Sequence, residues 1–260
     1  MTQSPGGVVR VAVTAMTHHG AVRERNQDAL VVGPLTAADI DLPDPLTITL
    51  GLGSPVVVAI ADGLGGHAAG EVAAAIAVRR LARGGGTLSG PEAVVRLLRE
   101  INDELYEVAA AEPAHAGTGT TIAGLVLTAD GACWFNVGDA RLYREEGGYL
   151  AQVSMDDSPR PPDTEPGAAA APTNVVLQTL GGAANPTPID PHVGVQPLNG
   201  GRWLLCSDGL SDLVELAAME QILSSSVDDT RAVKELWAAA MNTSGRDNIS
   251  IALLRLQFTD

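Results

Sequence analysis

The sequence contains little cysteine, and neither cysteine stands in a pattern typical of a disulfide or a zinc site. Its 260 residues include two cysteines, Cys133 and Cys206, and each lies inside an apolar run. A small buried side chain is the common role of cysteine in such a run. A disulfide framework is therefore not indicated, and a reducing cytoplasm is the expected location.

The shortage of positive charge and of long apolar runs excludes further classes of partner. The 16 lysines and arginines face 31 acidic residues, which gives a formal net charge of −15. Nucleic acids and anionic membranes attract clustered basic residues, so neither is expected as a partner. No apolar run approaches the roughly 20 residues of a membrane span, and no basic region precedes an apolar segment at the N-terminus. We expect a soluble monomer without a secretory signal.

Strands outnumber helices in the predicted secondary structure, and the two do not alternate regularly. The predicted strands are residues 8–15, 29–32, 56–61, 120–127, 132–137, 141–144, 175–179, 203–206 and 248–256. The predicted helices are residues 68–83, 91–111 and 229–241, the second with a capping box formed by Ser89 and Glu92. This order favours antiparallel sheets covered by helices over a parallel doubly wound sheet. Residues 34–55 and 158–174 are interpreted as irregular excursions from one domain of residues 1–260.

Aspartates stand at the ends of several predicted strands. In VVVAIADGLGGHAAGE, Asp62 follows an apolar run and precedes a glycine-rich turn into a helix, where capping that helix would be its ordinary role. Similar positions hold Asp139 in CWFNVGDAR and Asp208 in WLLCSDGLSD. Asp247 precedes a strand in GRDNISIALLRL, and Asp28 does so at the end of GAVRERNQD. Acids at strand ends can meet at one end of a sheet, so five unrelated caps are the weaker interpretation.

A constellation of aspartates indicates a hard divalent cation. Carboxylate oxygens suit magnesium, manganese or calcium, whereas zinc prefers nitrogen and sulfur. A calcium-binding hand is disfavoured because no segment has the alternating acids of such a loop. Two ions would relieve the repulsion among the carboxylates, activate a water and neutralise a phosphoryl group, so hydrolysis of a phosphate ester is the natural reaction. Arg23 and Arg25 are candidates for holding the phosphate oxygens.

Six motifs, in this order, resemble those of the metal-dependent protein phosphatases of the 2C type, particularly the bacterial ones. They are GAVRERNQD, VVVAIADGLGGHAAGE, GTGTTIAGLVL, FNVGDARLY, LLCSDGLSD and GRDNISIALLRL. The resemblance implies an α+β fold, a four-layer α-β-β-α sandwich of two packed antiparallel sheets flanked by helices. It also implies hydrolysis of phosphoserine and phosphothreonine in phosphoprotein substrates of a Ser/Thr kinase, by a metal-bridging water and without a phosphoenzyme.

The resemblance also implies a set of metal ligands, matched residue by residue. Asp62 bridges two Mn²⁺ or Mg²⁺ ions, and the carbonyl of Gly63 joins the first of them. Asp208 and Asp247 complete the second. Asp139 matches a ligand of a third ion in bacterial members, shared with Asp208.

The same matching assigns two catalytic residues and leaves others open. Asp28 orients the attacking water, and Arg23 binds the phosphate. Arg25 is the lesser candidate, because an exposed arginine is usually a solvated surface charge. His67 could protonate the leaving group, although such a histidine is more often structural. In some relatives the residue two after the bridging aspartate is a histidine proposed as acid, and here it is Leu64.

The chain departs from the family pattern at SMDDS, where relatives usually carry a threonine-x-aspartate-histidine-serine stretch before a helical flap. We expect a remodelled, proline-rich flap at about residues 158–174, which affects substrate choice and not the metal set. Two other functions stay open from the residues alone. One is a pseudophosphatase that binds without turnover, which the five intact acids disfavour. The other is a hydrolase of small phosphate esters.

Overall fold

Two antiparallel β-sheets lie face to face, with helices on both outer faces. The computed structural model describes residues 10–65, 70–159, 175–198 and 201–258. The strands are β1 (Arg10–His18), β2 (Asp28–Val32), β3 (Leu35–Ala38), β4 (Leu46–Gly51), β5 (Val56–Leu64), β6 (Gly119–Thr120), β7 (Ile122–Leu127), β8 (Ala132–Val137), β9 (Arg141–Glu146), β10 (Tyr149–Gln152), β11 (Leu180–Gly181), β12 (His192–Gln196), β13 (Arg202–Cys206) and β14 (Ile249–Gln257). The α-helices are α1 (Gly70–Gly84), α2 (Pro91–Ala111), α3 (Asp208–Ser211), α4 (Leu216–Ser225) and α5 (Asp229–Thr243).

Long strands lie at the centre of each sheet, the nine-residue β1 and β14 in the first and the nine-residue β5 in the second. The first sheet has the order β10-β9-β13-β14-β1-β4, and β1 pairs antiparallel with β14 and β4. The second has the order β11-β6-β5-β7-β8-β12, and β5 also pairs with β2, which carries β3 at its outer side. Strands β1 and β5 are apolar along most of their length because both faces are covered, one by the other sheet and one by helices.

Three apolar layers hold the sandwich together. The layer between the sheets includes Val13, Ile60 and Trp203, which are fully buried. A second layer joins α1 and α2 to the eight-stranded sheet, and a third joins α3, α4 and α5 to the six-stranded sheet. In α2 the buried residues recur at helical spacing, which is why this helix is predicted well. Among the described residues, no helix is both long and apolar enough to cross a membrane.

Several predicted element boundaries are wrong. The excursion at residues 34–55 contains strands β3 and β4, and β4 alternates apolar residues with threonines as an edge strand does, with Ile48 and Leu50 packed against the layer between the sheets. Residues 175–179 form no strand, and pairing begins only at Leu180. The short strands β10 and β12 and the helix α4 are also absent from the prediction. Weak patterns and short lengths leave such elements to be fixed by tertiary contacts.

The predicted capping box of α2 is wrong as well. The N-cap is Gly90, and no side chain caps the helix there. Pro91 occupies the first turn, where it has no backbone N–H that needs a partner. The predicted flap at residues 158–174 lies outside the described residues from residue 160 onward.

Candidate metal centre

The two sheets bring the predicted acids to one end of the sandwich. Asp28 is the first residue of β2 and pairs in register with Asp62 on β5. Asp208 opens α3 directly after β13, and Asp247 lies in the turn before β14. Asp139 follows β8 at the turn into β9. Asp139, Asp208 and Asp247 line one cleft of about 530 Å³.

Asp62 does not occupy the predicted turn between a strand and a helix. Strand β5 continues through Asp62 and Gly63 to Leu64. The carbonyl of Asp62 accepts a hydrogen bond from the amide N–H of Thr121 at 2.9 Å and another from the hydroxyl of Thr120 at 2.8 Å. The strand pairing therefore fixes Asp62 in place, and the helix-cap interpretation is excluded because Asp62 lies inside the strand.

Gly63 is required where it stands because the backbone of α1 passes directly over it. A Cβ at this position would overlap the carbonyl of Gly70 and would lie 2.6 Å from the carbonyl of Gln27. A larger residue would push the first turn of α1 away from β5. The glycine thus allows the close approach that places the N-terminus of α1 beside the acids.

Asp28 is held by a buried hydroxyl network from the other sheet. The hydroxyl of Ser207 donates to Asp28 Oδ2 at 2.8 Å, and it accepts the amide N–H of Ser250 at 3.0 Å. The hydroxyls of Ser250 and Thr17 are 2.7 Å apart. Asp28 Oδ1 is buried and has no hydrogen-bond partner. One oxygen is therefore anchored and the other is left for a ligand or a water.

The carboxyl groups titrate as a crowded, dehydrated cluster. Burial raises the pKa of Asp28 to about 6, although the hydrogen bond from Ser207 opposes the rise. Burial and then the charge of Asp247 raise the pKa of Asp208 to about 7. Burial raises the pKa of Asp139 to about 6. Burial first, and then the charges of Asp28 and the other three acids, hold the pKa of Asp62 well above its usual range.

Buried carboxyl groups that repel one another are typical of a site for divalent cations. Asp208 Oδ1, like Asp28 Oδ1, is buried without a hydrogen-bond partner. A cluster of carboxylates is costly when it is charged, dry and unpaired, and cations remove that cost. The residues present therefore fit a hard divalent metal, as the sequence predicts.

Arg23 lies at the mouth of the same cleft. Its Nη2 donates a hydrogen bond to Asp247 Oδ2 at 2.8 Å, and the side chain is half exposed. The contact with Asp247 raises the pKa of the guanidinium, which is charged at every accessible pH. Arg25, by contrast, turns away to Glu71 on α1, with Nη1 3.1 Å from Oε1. Arg23 therefore lines the cleft, and Arg25 is not among its lining residues.

Asn248 is a structural residue of the site to which the sequence analysis gives no role. Its Nδ2 donates to the carbonyls of His19 and Arg25, and its Oδ1 accepts the amide of Gln27 at 2.8 Å. Its own amide donates to Asp247 Oδ1 at 2.9 Å. The loop that carries Arg23 is therefore tied to the turn that carries Asp247. In the sequence, the one feature that could have indicated this role is that Asn248 directly follows Asp247 in GRDN.

Asp157 is a second structural residue of the site to which the sequence analysis gives no role. Its Oδ2 accepts the amide of Gly138, the neighbour of Asp139, at 2.8 Å. Its Oδ1 lies 2.9 Å from Nε2 of His192, and its carbonyl accepts the amide of Leu177 at 2.6 Å. Both ends of the segment between residues 159 and 175 are therefore anchored close to the metal-binding end. His67 lies outside the described residues, so its role stays open.

His18 and His19 are half-buried near the end of β1. In the described ranges they form, with Asp41, the single group of three possible ligand atoms within 4.8 Å of one another. The two rings stack at 4.5 Å, so their nitrogen lone pairs run side by side instead of meeting at one point. His19 Nδ1 is already 2.6 Å from Asp41 Oδ2, and His18 Nδ1 accepts the amide of Gly20 at 2.9 Å. The group is better explained by these internal hydrogen bonds. Among the described residues, the aspartates of the cleft form no group of three ligand atoms this close together.

Comparison with known proteins decides the family. The model of the protein phosphatase 2C family matches residues 43–255. The chain belongs to the protein phosphatase 2C family. A 2C-family relative, the serine/threonine phosphatase stp of Listeria monocytogenes, is 31% identical over 219 residues, which cover 79% of this chain and 86% of the relative.

Solved 2C-type structures have the same fold. The S. agalactiae serine/threonine phosphatase superposes with a TM-score of 0.77 at 23% identity, covering 94% of this chain and 99% of that one. The catalytic domain of the serine/threonine protein phosphatase PstP, solved with two manganese ions, gives a TM-score of 0.74 at 23% identity, covering 95% and 99%. The prediction of a four-layer sandwich of two antiparallel sheets is therefore confirmed.

Proposed function

We propose that this member of the 2C family hydrolyses phosphoserine and phosphothreonine in proteins at a binuclear metal centre. The observation that carries the proposal is the cluster of dehydrated aspartates beside an exposed arginine, in a chain of the protein phosphatase 2C family. The relative from Listeria monocytogenes is a serine/threonine phosphatase, and PstP was solved with two manganese ions. The intact acids and their unpartnered oxygens favour turnover over a binding-only role.

In this proposal, four residues hold the two central ions. Asp62, the Gly63 carbonyl, Asp208 and Asp247 would supply the oxygen atoms that hold these ions. When bound, two Mn²⁺ or Mg²⁺ ions supply an activated water and neutralise charge on the phosphoryl group. The support from this chain is the buried, unpartnered Oδ1 of Asp208 and the mutual elevation of the pKa values in the cluster.

Two further residues act on the water and the substrate. Ser207 fixes Oδ2 of Asp28, so Oδ1 is available to accept a hydrogen bond from the attacking water and to orient it. Arg23 binds the peripheral oxygens of the phosphoryl group with its remaining N–H donors, since planar guanidinium suits bidentate contacts with phosphate. We also propose that Asp139 and Asp208 share a third ion, because both line the cleft.

The remaining features of the proposal concern the whole protein. Residues 1–260 act as a single cytoplasmic catalytic domain, a monomer without a membrane or nucleic-acid partner. Its substrates are phosphoproteins of an opposing Ser/Thr kinase. The segment at residues 158–174 serves as a remodelled flap, and the position of its two ends beside the cleft supports this role.

The decisive experiment is phosphate release from a phosphothreonine peptide by the purified chain. We expect release with manganese or magnesium and none with excess chelator. Free phosphoserine and an aryl phosphate, assayed in parallel, distinguish a protein phosphatase from a hydrolase of small esters. No release from the peptide with either metal would contradict the proposal, and equal efficiency on free phosphoserine would favour the small-ester alternative.

A further inference from the structure

The cleft over the metal centre is larger than a phosphoryl group requires. Its volume of about 530 Å³ falls in the range of pockets that bury whole small ligands. Apolar side chains form part of its wall, including Val22, Leu64 and Val176. A phosphopeptide bound here would therefore place a residue next to the phosphoresidue inside the same cleft.

Arg246 is a second cation in that wall, next to Asp247 in sequence. Its closest carboxylate among the described residues is Asp212, and their closest approach, between Nη2 and Oδ2, is 3.8 Å. That distance is too long for a hydrogen bond, whereas Arg23 Nη2 approaches Asp247 Oδ2 to 2.8 Å. Half of the Arg246 side chain is exposed to solvent. The Arg246 guanidinium therefore lines the cleft and has no short hydrogen bond to a carboxylate among the described residues.

With divalent ions in place, the cleft no longer repels an anionic substrate. Two such ions offset about four of the five negative charges on the proposed site aspartates. Arg23 is assigned to the phosphoryl group, which leaves Arg246 as a positive group facing the flanking part of the peptide. Its fork of donors suits a carboxylate or a second phosphate.

We infer that Arg246 is a specificity-determining residue that selects phosphopeptides with an acidic group flanking the phosphoresidue. The inference rests on the proposed function and adds the substrate class of that same site. An alternative is that Arg246 only neutralises Asp212. The two roles differ in their consequence, because only the first makes hydrolysis depend on the residues beside the phosphothreonine.

The test compares two phosphothreonine peptides that differ only in their flanking residues, acidic in one and alanine in the other. The ratio of their kcat/KM values is measured for the wild type, Arg246→Ala and Arg246→Lys with saturating manganese. Arg231→Ala is the matched control, since Arg231 is an exposed arginine in the first turn of α5 that pairs with Glu235 one turn later. We expect the wild type to prefer the acidic peptide by roughly two- to fivefold, as for an exposed ion pair.

Arg246→Ala should bring this ratio close to one, Arg246→Lys should retain part of it, and Arg231→Ala should leave it unchanged. Raising the salt from about 0.02 M to about 0.5 M should also reduce the wild-type ratio, because exposed charges are screened. Equal rates on both peptides, or an unaltered ratio in Arg246→Ala, would overturn this inference and leave the proposed function standing. No release from either peptide by the wild type would overturn both.

Discussion

Arg23 and Asp247 are joined by a hydrogen bond of 2.8 Å from Nη2 to Oδ2, although 224 positions separate them in the sequence. The bond links the proposed phosphate-binding group to a proposed metal ligand. The guanidinium has further N–H donors, so a phosphoryl group can be bound without breaking this contact. In the proposed mechanism, the pair would place the phosphate next to the ions.

The first prediction concerns Arg23. We expect Arg23→Ala to raise the inhibition constant of inorganic phosphate by roughly ten- to hundredfold, because charge-assisted hydrogen bonds are lost. Manganese affinity should stay unchanged or rise slightly, since a positive charge is removed from beside Asp247. Arg25→Ala is the control, because Arg25 pairs with Glu71. A variant that bound manganese more weakly and phosphate normally would place Arg23 outside the phosphate site.

The second prediction concerns Asp208. Asp208→Asn keeps the shape of a ligand and removes its charge, so turnover should be abolished with the fold intact. In chelator, the melting temperature of the variant should equal or exceed that of the wild type, because one repelled buried charge is gone. Phosphate release and a thermal melt measure the two effects. Asp130→Asn, a change at an exposed turn, should alter neither. Wild-type rates in Asp208→Asn at saturating manganese would contradict the two-metal mechanism.

The third prediction is the pH dependence of the metal-free protein. Folding raises the pKa of Asp28 and Asp139 to about 6 and that of Asp208 to about 7, so the folded state binds more protons than the unfolded state. Stability from these groups is complete below the ordinary carboxyl pKa near 4 and is lost as the pH rises to about 7. In chelator, the melting temperature should therefore fall by several degrees between pH 5 and pH 8.

Manganese should remove this fall in melting temperature, because the ion neutralises the aspartates that protons neutralise at low pH. Melts at pH 5, 6, 7 and 8 in chelator and in manganese measure the effect. The gain from manganese should be largest at pH 8, and Asp208→Asn should show a shallower decline in chelator. A metal-free melting temperature that rises over this pH window would show that the acids are not crowded in the folded protein.

Much of the site was predictable from the sequence because each acid lies in or beside a short apolar strand. The apolar pattern of β5 locates Asp62, but it could not show that the strand continues through Gly63, since polar and glycine residues break the pattern. The edge strand β4 has the alternating pattern LTITL, but the surrounding prolines favoured the interpretation of an irregular segment. The supporting contacts of Asn248 and Asp157 depend on residues from distant parts of the chain. Only the tertiary arrangement of the strands brings those partners together.

The fourth prediction concerns Asp139. We expect Asp139→Ala to weaken the binding of a third ion and lower turnover, while the two central ions stay bound. Asp139 shares the cleft with Asp208, but it lies in the turn between β8 and β9 and is not among the proposed ligands of the central ions. Calorimetric titration with manganese should show about one site fewer than the wild type. An unchanged stoichiometry would remove Asp139 from the metal set.

The last prediction tests whether Asn248 positions the phosphate-binding loop. Asn248→Ala leaves the carbonyls of His19 and Arg25 and the amide of Gln27 without their partner in a buried setting. We expect a loss of roughly 2–4 kcal/mol in the free energy of unfolding, since each unsatisfied buried group costs about 1–3 kcal/mol and such costs are not additive. Denaturant unfolding measures it, and the exposed Asn242→Ala is the control.

The same substitution should weaken phosphate binding without touching the phosphate. Arg23 lies between His19 and Arg25 on the tethered loop, so releasing the loop lets the guanidinium move away from Asp247. Under conditions where Asn248→Ala is fully folded, the inhibition constant of phosphate should rise, and combining the change with Arg23→Ala should add little further. Additive effects of the two substitutions would mean that Asn248 acts on the site independently of Arg23, because residues that work through one another are coupled in a double-mutant cycle.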